Sequence, residues 1–237
     1  MKKKFLTNLV LVLGLNLSIK PFWIFFIDRN VQATVGLAEF GTYFSLFNFS
    51  YLFYIILDMG ITNFNNRNIA QNAHLLSKHF SRVVMLKLTL AVIYLTICSI
   101  AGLIVKYDVR HMKLLLILCF NQFLISFILY LRSNISGLQL FKTDSILSVI
   151  DRIIGIAICA PILWWHLTGG MDIMKYVYAQ MAAYSLTAFI AFIIVFRKAG
   201  FIRFDWGRTF SLMILKQSFP FAILGMLMAF YNRIDSV

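Results

Sequence analysis

Apolar residues along this chain gather into runs of about twenty, the length a helix needs to cross roughly 30 Å of hydrocarbon. Six such runs occupy 5–27, 40–61, 83–105, 114–131, 146–165 and 176–196, and a seventh starts near 219 and reaches the last residue of the sequence. The stretches between them are polar and mostly short. The pattern predicts an all-α, polytopic membrane helix bundle of six transmembrane helices plus the start of a seventh. Residues 1–198 form its first lobe. Residues 199–237 form an interfacial linker helix and a truncated seventh span. In that linker, Trp206 and Phe210 stand beside Arg203, Arg208 and Lys216, as in a helix lying at a membrane surface; an ordinary basic loop is the alternative.

Composition sharpens this picture. Of 237 residues, 61% are hydrophobic and only 13% charged, against about 25% charged in a soluble domain. The net charge of +13 does not point to nucleic acid, because the basic residues are parcelled out between the apolar runs rather than clustered on one module. Their distribution orients the chain. With the N-terminus in the cytoplasm, Lys2, Lys3, Lys4, Arg67, Lys78, Arg82, Arg132, Lys142, Arg197, Lys198, Arg203 and Arg208 lie inside. Arg29, Lys106, Arg110, Lys113 and Lys175 lie outside. The expectation is a multi-pass protein of the cytoplasmic membrane. The lysine-led N-terminus reads as a retained span, since its apolar stretch is too long for a signal peptide and no small-residue cleavage site follows. Cys98, Cys119 and Cys159 all fall inside spans without CxxC spacing, which argues against a disulfide framework or zinc site. No cofactor or metal is expected.

Polar residues inside the spans are costly and therefore informative. In the first span, Asn8, Asn16 and Lys20 share a broad face, and Pro21 follows directly. Either the helix kinks there and Lys20 faces a cavity, or Lys20 snorkels to the outer surface. The second span carries Asn48, Tyr51 and Asp58; Asp58 either pairs with a base on a neighbouring helix or binds a coupling cation. In the fourth, Gln122, Ser126, Tyr130, Ser133 and Gly137 make one polar-to-small face, suited to lining a cavity or to close packing. The fifth contains Asp151 and Arg152, and the seventh Arg233 and Asp235. Lys20, Arg152 and Arg233 are the candidates for a cationic cavity that binds substrate. Asn16, Asn48, Gln122, Ser126 and Tyr130 are candidates for its polar lining. Asp58, Asp151 and Asp235 are candidates for ion coupling or ion pairs. Arginine suits an anionic group because its planar fork holds phosphate oxygens and stays charged in a low dielectric.

Several segments resemble the oligosaccharide and polysaccharide flippases of the multidrug/oligosaccharidyl-lipid/polysaccharide exporter superfamily. Ile56-Leu57-Asp58-Met59-Gly60-Ile61-Thr62-Asn63 is similar to the end of their second helix. Leu131-Arg132-Ser133-Asn134-Ile135-Ser136-Gly137-Leu138-Gln139 is similar to the end of their fourth, and Asp144-Ser145-Ile146-Leu147-Ser148-Val149-Ile150-Asp151-Arg152 to the start of their fifth. Ser218-Phe219-Pro220-Phe221-Ala222, with Tyr231-Asn232-Arg233-Ile234-Asp235, resembles the opening of their seventh. The resemblance implies two six-helix lobes around a central cavity, of which this sequence supplies the first and the start of the second. It implies translocation of a lipid-linked, polyprenyl-diphosphate oligosaccharide by alternating access. Partners would be that substrate, membrane lipids and other polysaccharide-assembly membrane proteins.

Three alternatives compete. A drug or small-cation exporter of the same superfamily would favour net acidic sites. An accessory half-protein would need a membrane partner. A membrane glycan polymerase would need a catalytic outer loop, and the outer connections here are short, with no paired carboxylates or Ser/His/Asp set. No catalytic residue is expected.

Overall fold

The structure is a computed structural model that describes residues 14–165, 169–200 and 208–234. Every regular element among them is helical. The first, α1, is regular over 14–22, widens into a π turn at Trp23–Asp28 and continues as Arg29–Val35. Then come α2 (Leu37–Leu52), the short α3 (Ile55–Asp58), α4 (Ile61–Gln71), α5 (Leu75–Ile104) and α6 (Val109–Gly137). The chain continues through α7 (Phe141–Trp164), α8 (Ile173–Ala199) and α9 (Arg208–Ile234). Helices α5 to α8 are four that can cross a membrane by length and composition, and α2 with α3–α4 makes a fifth span, bent by 46°.

Three boundaries differ from those the hydropathy pattern predicts. The first span lies partly in 1–13, outside the described residues, and its helix runs on to Val35 rather than ending near residue 27. The Asn-rich stretch after residue 61, which reads as a polar loop, is instead helix α4. Its Ile61, Asn65 and Ile69 recur every fourth residue and are all buried. The Asn65 amide donates to Ser133 Oγ at 2.9 Å and Asn134 Oδ1 at 3.0 Å, so asparagine here joins two helices rather than breaking one. Finally, α9 starts at Arg208, ahead of the expected start near 219, and runs through Pro220 to Ile234 as one helix. Trp206 and Arg203, on which the linker expectation rests, lie outside the described residues.

Helix α6 is the centre of the bundle. Its apolar window is 61% buried, against 28–44% for the other three long spans, and α2, α4, α5, α7 and α8 all pack on it. At its end, Arg132 Nε donates to Asp144 Oδ1 at 2.7 Å. That pair ties α6 to the first turn of α7, where the carboxylate also faces the positive end of the helix. Asp108 caps the other end by accepting from His111 N at 3.1 Å. The His111 ring beside it, with that backbone N–H, holds the Asp108 carboxyl below the usual carboxylate range.

The turn between α3 and α4 depends on Gly60. Its φ is +77°, a conformation that costs an L-residue about 1–2 kcal/mol. A Cβ there would also lie 2.5 Å from Ala222 N and 2.9 Å from the Phe221 carbonyl carbon of α9. Gly36, with φ +93°, has open space around it. Gly36→Ala therefore carries a backbone cost alone, whereas Gly60→Ala adds a collision. The expected outcome is a larger loss of stability of the detergent-purified protein for Gly60→Ala, by about a further 1–3 kcal/mol, read from thermal melts. A Gly60→Ala melt no lower than that of wild type would show that α9 does not press on this turn.

Candidate functional site

A cavity of about 610 Å³ opens between α1, α2, α7 and α8. Its shape begins in the π turn. One extra residue in the turn, closed by Arg29 N–H bonding to Ile24 O, sets Trp23, Ile27 and Val31 inward at four-residue spacing, all buried. Such wide turns often mark functional positions. Trp23 lies against Gly155 of α7, where a Cβ would come 2.6 Å from its ring; the glycine is what lets the indole reach the cavity wall. One turn earlier on α7, the Arg152 guanidinium sits 5.1 Å from the Trp23 ring centroid, a cation–π contact.

Two carboxylates attend this arginine. Asp151 Oδ2 is 3.6 Å from Arg152 Nε, and Asp28 lies within its electrostatic reach. Asp28 is itself fixed by the Tyr176 hydroxyl, which donates to its Oδ1 at 2.5 Å. Tyr176 packs on Trp23 at 6.3 Å and edge-on to Tyr43 at 5.6 Å. The Gln180 amide donates to the Tyr43 hydroxyl at 3.4 Å. The cavity therefore combines hydroxyl and amide hydrogen-bonding groups, flat aromatic faces and two guanidiniums, Arg29 and Arg152, with carboxylates in near charge balance. That equipment suits a ligand carrying hydroxyls, with or without an anionic group.

A second polar centre lies at the broken second span. The Lys87 ammonium of α5, 1% exposed, donates to Leu57 O at 3.0 Å, Asp58 Oδ1 at 2.6 Å and Ser126 Oγ at 3.0 Å. Asp58 also accepts from the Thr62 hydroxyl and, at 3.3 Å, from Thr62 N, which caps the first turn of α4. Two turns further along α5, the Tyr94 hydroxyl donates to Ser50 O at 2.9 Å.

The sequence-derived candidates fall in different places. Arg152 and Asp151 meet at the cavity, and Asp58 is held in the ion pair with Lys87. Lys20 is exposed on α1 and does not line the cavity. Asn16 donates to Ser148 Oγ at 3.3 Å, joining α1 to α7, and Asn48 is half-buried on α2. Gln122, Ser126 and Tyr130 do not form an open polar wall. Helix packing covers them at 2%, 1% and 0% exposure, because this face of α6 is the one its neighbours pack against. Arg233 lies on α9 with its side chain outside the described residues, as is Asp235. Two participants do not figure among the candidates read from sequence. Lys87 is a lone cation inside an apolar run, which is itself the signal for an interior site. Asp28 reads as the start of an outer loop, yet α1 continues through it. Among the described residues, no group of three or more histidines, cysteines or acids could hold a metal.

Helices that can cross a membrane, with charged and aromatic groups gathered between them, define a multi-pass membrane protein with an interior polar site. The chain belongs to the polysaccharide biosynthesis protein family, whose model matches residues 24–237. No curated protein and no solved structure matches it.

If Arg152 and Asp28 balance one another, removing both charges costs less than the two single changes predict. Arg152→Met and Asp28→Asn are expected to show a coupling of about 1 kcal/mol in a double-mutant cycle of thermal melts. Additive effects would separate the two groups.

Proposed function

We propose that the protein moves a lipid-linked oligosaccharide across the cytoplasmic membrane for surface polysaccharide assembly. The observation that supports this reading is the Arg152 cavity, aromatic and hydroxyl-rich, between the spans of a chain in the polysaccharide biosynthesis family. Aromatic faces such as Trp23 and Tyr176 suit the apolar faces of sugar rings, and Gln180 and Tyr43 suit their hydroxyls. Arg152 supplies the planar fork that a diphosphate needs. The polyprenyl chain stays in the bilayer.

In this reading residues 1–198 are one lobe of six spans, and 199–237 lead by an interfacial linker into a second. The two lobes rock about a site near the midplane, as in transporters of alternating access. Lys20 and Arg233 extend the cationic path beyond the Arg152 cavity, and the N-terminus is cytoplasmic.

Arg152→Ala at the chromosomal locus is expected to reduce surface glycan at least tenfold at unchanged membrane abundance. Normal surface glycan would remove the flippase reading of this cavity. The two carboxylates beside Arg152 favour a second reading, export of a small cation. Normal glycan together with raised sensitivity to cationic drugs would select it.

Orientation is tested by single-cysteine labelling. Cys98, Cys119 and Cys159 are buried, so background labelling is low. Cysteines at Asn68 and Arg203 are expected to react from the cytoplasmic side, and those at Asn30 and Asp172 from outside. The reverse pattern would invert the topology.

A further inference from the structure

The Lys87 centre is separate from the Arg152 cavity, and the transport reading makes no use of it. Its geometry is that of a cation site. A backbone carbonyl left at the end of a broken helix, a carboxylate and a hydroxyl converge on one point at 2.6–3.0 Å. The Ser126 hydroxyl lies 3.2 Å from the same Leu57 carbonyl, closing the cluster. Two of the three distances, at 3.0 Å, are longer than the ~2.0–2.6 Å that magnesium and calcium require, and the set suits a monovalent cation. The occupant is the ammonium at the tip of Lys87, whose three N–H donors meet three acceptors. The centre draws on three elements: α3 supplies the carbonyl and the carboxylate, α5 the ammonium and α6 the hydroxyl.

We propose that Lys87 is a tethered cation filling a monovalent-cation site at the break of the second span. The break is held by a charge the chain carries itself, so its conformation does not depend on an ion taken from solution. Removing the side chain while keeping the three oxygens opens the site to a small free cation, an alkali ion or ammonium. A large quaternary ammonium does not fit.

The test uses the whole protein in detergent, with Lys87→Ala produced and purified in potassium chloride. Thermal melts are recorded in sodium, potassium, ammonium and choline chlorides at equal ionic strength. Wild type is expected to melt at the same temperature in all four. Lys87→Ala is expected to melt about 5 °C higher in at least one small cation than in choline, the shift that binding to the folded state alone produces. Lys87→Ala with Asp58→Asn, which removes both charges, is expected to lose that salt dependence and to melt alike in all four. Three results would overturn the proposal: identical melts of Lys87→Ala in every salt, a cation response that survives Asp58→Asn, or no folded Lys87→Ala recovered from potassium. Wild type responding as strongly as the variant would also overturn it, because its site is already filled.

Discussion

A backbone carbonyl freed inside hydrocarbon must find a donor, and this demand organises the fold. A continuous helix satisfies its own carbonyls; a helix broken twice does not. The second span breaks between α2 and α3 and again between α3 and α4. Each break is met from the same neighbour. Tyr94 takes the Ser50 carbonyl and Lys87 takes the Leu57 carbonyl. The two residues are seven apart, and so lie on one face of α5 two turns from each other. The register of α5 against the second span is thereby fixed at two points by hydrogen bonds that cannot slide. Charge makes the second point the stronger, and it recruits α6 through Ser126. The most enclosed helix of the bundle is thus tied to the most irregular one by an ammonium.

The first span solves a different problem. A regular helix places residues at 100° intervals, and one added residue in a turn shifts the face beyond it. The π turn performs that shift between Pro21 and Val35, carrying Asp28 toward Tyr176 rather than out to solvent. It works only because α7 offers Gly155 where the Trp23 ring must lie. Cavity, π turn and glycine are one device. The wide turn supplies direction and the missing Cβ supplies room. Arg152, three residues before that glycine and so on the same face of α7, completes the wall.

Hydropathy made the helical class and the positions of α5 to α8 legible, because long apolar runs leave few other structures open in a bilayer. It misplaced the ends. Asn65 and its neighbours look like loop residues by composition, yet polar side chains bridge helices when a small-residue face such as Ser133, Asn134 and Gly137 lies opposite. A single chain shows only one side of such a bridge. The same limit applies to the charges. Asp58 and Arg152 announced themselves as interior ions, but the partner of Asp58 lies 29 residues away, and Arg152 faces, besides its neighbour Asp151, a carboxylate on another helix, Asp28. Burial could not be read either. The polar face of α6 has the spacing of a cavity wall, and whether it is a wall or a seam depends on how many helices surround it.

The balance of charge around Arg152 bears on how a transporter of this kind would operate. Under the proposed reading a diphosphate competes with Asp28 and Asp151 for the guanidinium. A ligand shifts an equilibrium only by its differential affinity for two states. An arginine already paired in the empty cavity provides such a difference, because engaging the anion releases Asp28, whose remaining ties are the Tyr176 hydroxyl on α8 and the Trp23 indole of its own helix. Asp28 also belongs to the π turn, the least regular part of α1. Substrate charge, α1 geometry and the α8 contact are therefore linked through one carboxylate. An unpaired arginine would bind the anion more tightly and move nothing. On this argument the carboxylates weaken binding and in return couple it to a change of shape, which is what translocation requires.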